Sequence, residues 1–334
     1  MTIALDATYS LGQNLSGVGV YSREILFGLA AAHPREKFRF CYRPHRFLKS
    51  FHDTLPRNAS RRLLRGAPSA DIFHALNQRV DAKACPTVST FHDLFVMTGD
   101  YSSPEFRSRF TAQARDAARR SDLIIAISHF TASQVEHLLN VEPSRIRVVH
   151  HGVRPSPPSS KKQNLVLTVG AIQRRKNIAR LIKAFETIPG DWRLALAGAA
   201  NGYGAAEELR AVEESPARSR IDVLGHVSSA ELESLYNRAG IFAFPSLDEG
   251  FGMPILDAMA HGVPVITSNC SAMPEVAGDA ALLVDPLNIG DALLRLANDE
   301  SLREDLIGRG LERIRHFSWD SAVEKTWAVY DELR

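Results

Sequence analysis

Short apolar runs alternate with stretches of helical period along the whole chain. In the first half the runs are IALDAT (3–8), FRFCYR (38–43), DIFHAL (71–76), TVSTFHD (87–93), DLIIAIS (122–128) and IRVVHH (146–151). They are short and rich in β-branched and aromatic residues, which predicts strands buried in a parallel sheet. Amphipathic segments between them, such as 18–32 and 104–120, predict helices, and Ser128 is placed to cap a helix that begins near His129. The stretch GVRPSPPSSKKQN (152–164) has no helical period and reads as a linker. The alternation then restarts. Strands are expected at 164–170, 192–198, 221–225, 241–246, 264–269 and 281–286, with helices at 177–188 and 228–240. Ser228 and Glu231 have the spacing of a capping box, and Gly240 lies past the helix end. Strand–helix alternation in two halves predicts an α/β fold of two doubly wound, Rossmann-like domains facing a cleft. Ligands of such sheets sit at the carboxyl ends of the strands. Near the C-terminus Trp319, Val323, Trp327 and Tyr330 share one side of a helix, a spacing that suits packing.

Composition narrows this picture. A chain of 334 residues, 45% hydrophobic, suits two cores better than one. The expected organisation is a first domain over 1–151, a linker over 152–164, a second domain over 165–316 and a terminal helix over 317–334. Residues 1–150 hold 20 Lys+Arg against 13 Asp+Glu, a net of +7, and residues 151–334 hold 20 against 25, a net of −5. A basic first half can meet anionic lipid, a phosphorylated acceptor or nucleic acid, or be a solvated surface. No nucleic-acid motif and no repeat accompany it, so nucleic acid is not an expected partner. Cys41, Cys85 and Cys270 lie far apart, which fits a reducing cytoplasm and argues against a disulfide framework or a zinc site. The N-terminus lacks a signal-peptide pattern, and no apolar run approaches the roughly 20 residues that span a bilayer. A cytoplasmic protein is expected, peripheral to the inner face of the membrane if it meets one.

Four places carry candidate chemistry. In DEGFGMPILDAMAHG (248–262), Gly250 and Gly252 permit a tight turn after a strand, Pro254 suits the first turn of a helix and Gly262 its end. Glu249 precedes the turn and Asp257 lies one turn into the helix. Free N–H groups there favour phosphate oxygens, while carboxylates suit sugar and ribose hydroxyls. The acids alone equally fit an ordinary helix N-terminus. In VGAIQRRKN (169–177), Arg174, Arg175 and Lys176 follow a strand and could neutralise a diphosphate, or form a basic surface turn. In NLSGVGVYSRE (14–24), Gly17 and Gly19 form a candidate glycine loop, without the full dinucleotide fingerprint. In TFHDLF (90–95), His92 ends a strand where it could donate to a sugar hydroxyl or a carbonyl, or form a local turn with Asp93. His74 is a weaker candidate, and His150 and His151 read as structural.

Together these segments resemble the retaining, nucleotide-sugar-dependent glycosyltransferases of family 4, which have the GT-B architecture. The likeness runs through essentially the whole chain and is strongest over 165–286, where GAIQRRKN and GHVSSAELESLYNRAGIFAFPSLDEGFGMPILDAMAHGVPVITSNCSAMPEVAGDAALLVDP follow the family order. SGVGVYSREIL and STFHDLF look like members that extend bacterial surface polysaccharides, often with mannose. The resemblance implies that Glu249 contacts donor-sugar hydroxyls, that Gly250, Phe251 and Gly252 form the turn at the sugar and diphosphate, and that Asp257 holds the ribose. It implies that Lys176 binds the diphosphate, His92 lies near the donor sugar, and Gly17 and Gly19 belong to a loop over the reaction centre. Two positions depart from the pattern: Asp257 stands where the family has Glu, and Ala171 where many relatives have Arg. Arg174 or Arg175 would then supply that charge.

The implied reaction moves a hexose, with mannose from GDP-mannose as the first expectation, to a glycan or lipid-linked acceptor with retention. No cofactor and no metal are expected, because fixed cations and helix N–H groups face the leaving group and the sequence offers no D-x-D pair. Two other readings stay open: a sugar-nucleotide epimerase on the same fold, and a non-catalytic partner subunit that binds a sugar nucleotide.

Overall fold

The structure is a computed structural model, and it describes residues 1–12, 14–156 and 162–334. Residues 157–161 of the expected linker thus lie outside the described residues. The chain divides into two compact units. The first comprises Met1–Thr98, Pro104–Gly152 and Phe317–Arg334, and the second comprises Gly99–Ser103 and Val153–His316.

The first unit is built on seven strands: β1 (Thr2–Asp6), β2 (Lys37–Tyr42), β3 (Ala59–Leu63), β4 (Ile72–Ala75), β5 (Thr87–Phe91), β6 (Leu123–Ala126) and β7 (Ile146–Val148). All pairings are parallel, in the order β3-β2-β1-β4-β5-β6-β7. The central strands are buried on both faces, so Ile3 and Leu5 lie level with Phe38 and Phe40 of β2 without contact with water. β3 was not expected from the pattern. Its sequence ASRRL carries two arginines because it is the edge strand and only half-covered. The last helix, Trp319–Asp331, packs on the helix Gly17–Ala32 of this unit. Gly28 permits that approach, since a Cβ there would stand 2.5 Å from Val323 Cγ2. Trp319, Val323 and Tyr330 are buried and Trp327 stacks on His33 at 3.5 Å, so these side chains are packing residues.

The second unit has six parallel strands: β8 (Leu165–Val169), β9 (Arg193–Ala197), β10 (Ile221–Gly225), β11 (Ile241–Phe244), β12 (Val265–Ser268) and β13 (Ala281–Val284). Their order is β10-β9-β8-β11-β12-β13. The chain leaves β8 toward β9 and later returns to its other side as β11. The topological switch point, where doubly wound sheets open a crevice for ligands, therefore lies between the carboxyl ends of β8 and β11. The helix Ser229–Arg238 carries the capping box of Ser228 and Glu231, and Ser128 caps His129–Leu139 by accepting from the Thr131 amide. Lys162 donates to the carbonyls of Tyr236 (3.3 Å) and His261 (2.8 Å), tying together two helix ends. Among the described residues no helix is long and apolar enough to cross a membrane. The α/β class with two doubly wound, Rossmann-like sheets is what the alternation predicted.

Candidate active site

The second unit brings the charged candidates to its switch point. Lys176 ends a short 3-10 helix, Arg174–Lys176, that follows β8. Asn177 then takes a left-handed conformation (φ 59°), and its side-chain Nδ2 donates to the carbonyls of Pro245 (3.1 Å) and Pro286 (2.8 Å). This clamp fixes the turn against the chain leaving β11. The Lys176 ammonium lies 4.3 Å from the centre of the Phe244 ring and 2.5 Å from Glu249 Oε1. Arg175 Nη1 meets the same oxygen at 2.6 Å and also donates to the Asp248 carbonyl at 2.8 Å. Two cations thus converge on one carboxylate that is 9% exposed. Burial alone would raise the Glu249 carboxyl, but Lys176 and Arg175 outweigh it and hold it at about 2.

Two glycines make this possible, and the sequence reading did not single them out as site residues. Gly170, at the end of β8, has φ 138°, and a Cβ there would stand 3.1 Å from Lys176 Cε and 3.2 Å from Nζ. Gly198, at the end of β9, backs it: a Cβ would fall 1.9 Å from the Gly170 carbonyl oxygen. Ser271 is a further member, with φ 51° and its Oγ accepting from the Glu249 amide at 3.1 Å. The only sequence signal for the glycines was their place at strand ends. For Ser271 there was none.

The turn after Glu249 follows the expected course. Phe251 is buried, Gly252 is left-handed (φ 98°), and the helix Met253–Ala260 begins with Pro254 in its first turn. Asp257 lies one turn into that helix and is half-buried. Among the described residues none donates to its carboxylate, and burial raises the group to about 7. The buried hydroxyl of Tyr236, which feels the Asp257 charge, also has no hydrogen-bond partner among them. The half-buried Asp257 carboxylate is therefore free to meet a ligand's hydroxyls, whereas the Tyr236 hydroxyl is enclosed. Arg174 goes elsewhere. It pairs with Asp100 and, at 2.8 Å, with Glu207, and lies over the Tyr203 ring. Arg175, not Arg174, joins Lys176.

In the first unit, Gly17 and Gly19 are not in a loop. The helix Gly17–Ala32 starts at Gly17, so both form its first turn, and the Ser16 hydroxyl accepts from the Gly19 amide at 3.3 Å. Gly19 is required by space, since a Cβ would stand 2.9 Å from the Tyr9 carbonyl oxygen. His92 follows β5 and is buried. Its Nε2–H donates to the Leu76 carbonyl at 2.9 Å, which leaves Nδ1 as an acceptor. The expectation that His92 donates to a sugar group is corrected accordingly: its proton is already committed to the backbone. Burial lowers the ring to about 4, so it is neutral near pH 7. His74 bridges Tyr330 (2.6 Å) and Thr90 (2.8 Å) in the core, and His151 stacks on Tyr21 and Trp319, so both are structural.

The chain matches two family models: Glycosyltransferase Family 4 over residues 9–156 and Glycosyl transferases group 1 over residues 153–313. It is 32% identical over 284 residues to the O-antigen chain mannosyltransferase B of Escherichia coli, an alignment covering 78% of this chain and 74% of that one. Among solved structures it resembles a sucrose-phosphate synthase from Thermosynechococcus elongatus, with a TM-score of 0.80 at 20% identity, over 100% of this chain and 99% of that one. It also resembles Anabaena HepE in complex with UDP and glucose, with a TM-score of 0.74 at 16% identity and 99% of each chain covered. These structures share its GT-B fold. With a switch-point cation pair, an acid-glycine turn and both family models in register along the chain, this protein is a glycosyltransferase and belongs to glycosyltransferase family 4.

Proposed function

We propose that the enzyme transfers a hexose from a nucleoside diphosphate sugar to a glycan or lipid-linked acceptor, with retention at the anomeric carbon. The observation that carries this is the convergence of Lys176 and Arg175 on Glu249 at the switch point of the second sheet. A diphosphate brings the anionic charge those two cations would take up. Once it binds, Glu249 is released to accept sugar hydroxyls. Asp257 holds the ribose. The amides of Gly250, Phe251 and Gly252 line the sugar and phosphates, and His92 Nδ1 accepts a hydroxyl of the donor sugar.

The chemical barrier is cleavage of the bond to the diphosphate. Lys176, Arg175 and the turn amides stabilise the charge that builds on the leaving group. With those fixed cations in place, no metal or other cofactor is required. The departing phosphate takes the acceptor's proton as the new bond forms on the same face. Mannose from GDP-mannose is the first donor to test, since the E. coli relative is an O-antigen mannosyltransferase. HepE, captured with UDP and glucose, supports a nucleotide-sugar donor in general terms. The reading includes a role in cell-surface polysaccharide synthesis, with the 1–151 region binding the acceptor. The site of action is cytoplasmic, at the inner face of an anionic membrane. Nothing in the geometry favours an epimerase or a silent partner subunit over transfer.

The experiment is transfer from GDP-mannose, beside UDP-, ADP- and dTDP-sugars, to manno-oligosaccharide and lipid-linked acceptors, with the product's anomeric configuration read by NMR. A new α-linkage from an α-configured donor supports the reading. Inversion, or conversion of the sugar nucleotide without acceptor, would sink it.

A further inference from the structure

We propose that residues 44–65 form a docking surface for an anionic lipid bilayer, which locates the membrane contact of the reading above. The charge of the first half is concentrated there. Residues 43–65 contain seven Lys+Arg (Arg43, Arg46, Lys49, Arg57, Arg61, Arg62, Arg65) and one acid, Asp53, a net of +6. The whole of residues 1–150 carries only +7. Arg43 is buried against Asp6 and Asp81 and is set aside. Lys49, Arg57, Arg62 and Arg65 are exposed, and Asp53 is engaged by Arg23 at 3.2 Å.

The same segment turns its apolar residues outward. The helix Pro44–Phe47 continues as a 3-10 helix, Leu48–His52. At three residues per turn, Leu48 and Phe51 share one row and Lys49 and His52 the next. The inward row is Ser50, which is fully buried. Leu48 is 79% and Phe51 61% exposed, the highest values for large apolar side chains among the described residues. The segment is held in this pose by edge strand β3. Arg61 donates to the Ser50 carbonyl at 3.0 Å and lies 5.1 Å from the centre of the Phe51 ring. An apolar row beside a cationic one, on the open edge of a sheet, fits the headgroup and acyl boundary of an anionic leaflet. A second copy of the chain is disfavoured, because a self-complementary contact would set these cations against one another. A nucleic acid would match the charge but leave the outward Leu48 unexplained.

The test is co-sedimentation of the full chain with vesicles of phosphatidylcholine alone, or with about one-third phosphatidylglycerol, which supplies the surface charge. The wild type should partition to the anionic vesicles only, and less so in high salt. Lys49→Glu with Arg62→Glu should lower that partition roughly thirtyfold or more. Leu48→Ser with Phe51→Ser should lower it about tenfold or more, because apolar burial is lost. Arg115→Glu with Arg119→Glu, exposed on the helix Pro104–Arg120, should leave it unchanged. The inference is overturned if the wild type stays in the supernatant or binds both vesicles equally. It is also overturned if the Leu48/Phe51 variant binds as the wild type does, if the 115/119 reversal weakens binding as much as the 49/62 reversal, or if a soluble oligonucleotide competes the protein off the vesicles. In each variant, a nucleoside diphosphate should still raise the thermal midpoint, which reports folding and donor binding separately. Lost vesicle binding with that shift intact removes the docking surface alone; a lost shift with vesicle binding intact removes the donor reading alone.

Discussion

Replacing Glu249 by Gln keeps the shape of the side chain and removes the charge that Lys176 and Arg175 share. Holding this carboxyl at about 2, against an ordinary 4.5, corresponds to about 3 kcal/mol in favour of the charged, paired form. Leaving two nearly buried cations without their partner costs a similar amount. For a unit of this size, about 3 kcal/mol lowers the unfolding midpoint by about 6–12 °C. The folded value is depressed, so this stabilisation is complete above the unfolded pKa and is lost as pH falls through the folded one. The difference between wild type and Glu249→Gln should therefore close between about pH 4.5 and pH 2. A nucleoside diphosphate should narrow the same difference at neutral pH, because its phosphates take up the bared cations. Transfer should nevertheless fall by about a hundredfold or more, since the sugar hydroxyls lose their acceptor. The assay is calorimetry with and without nucleotide, from pH 7 downward. An unchanged midpoint for Glu249→Gln, or a deficit that nucleotide does not reduce, would refute the reasoning.

Asp257→Asn should stabilise the ligand-free protein at pH 8 and weaken nucleotide binding. The Asp257 value is raised, so the native state holds an extra proton and loses stability as pH climbs from about 4 to about 7; melts at pH 5 and pH 8 with a nucleotide titration check both signs. Gly170→Ala should push Lys176 off Glu249 and strain a left-handed position, costing about 1–3 kcal/mol together with transfer activity, read by denaturant unfolding and a rate assay. Gly198→Ala should be worse, because its Cβ would meet backbone, and should lower soluble yield or the midpoint further. His92 should contribute no ionisation between pH 6 and pH 7 to kcat/KM, since its ring is neutral above about 4. His92→Phe, which removes the acceptor, should lower kcat/KM without shifting the pH profile.

The buried strands were legible because a parallel sheet covered on both faces leaves continuous apolar runs, as in β6 and β11. β3 was not, because an edge strand with Arg61 and Arg62 looks like a polar loop until its partner is known. The turn at Glu249 could be read from Gly252 and Pro254, whose backbone preferences are local. The division of labour in Arg174–Lys176 could not. Periodicity offers three equivalent cations, and only the fold shows that Arg174 is taken by Asp100 and Glu207 while Arg175 and Lys176 share Glu249. Gly17 and Gly19 were visible as glycines but misplaced, since their neighbours allow the helix to begin one residue earlier and include both. The tautomer of His92 depends on the Leu76 carbonyl just past the end of the adjacent strand β4, a contact set by sheet order. The charge of residues 43–65 was present in the sequence, but the outward row of Leu48 and Phe51 came only with the structure.

The central claim is that Lys176 and Arg175, held by Glu249, form the seat of a nucleoside diphosphate sugar. It is tested most directly by thermal unfolding of the wild type and Lys176→Ala with GDP, UDP, ADP and dTDP and their common sugar conjugates. A ligand that binds only the native state adds about 2.7 kcal/mol at a hundredfold excess over its dissociation constant. The account predicts that one base raises the wild-type midpoint and that Lys176→Ala loses most of that rise. A wild type indifferent to every nucleotide, or a Lys176→Ala variant that responds as fully as the wild type, would contradict it.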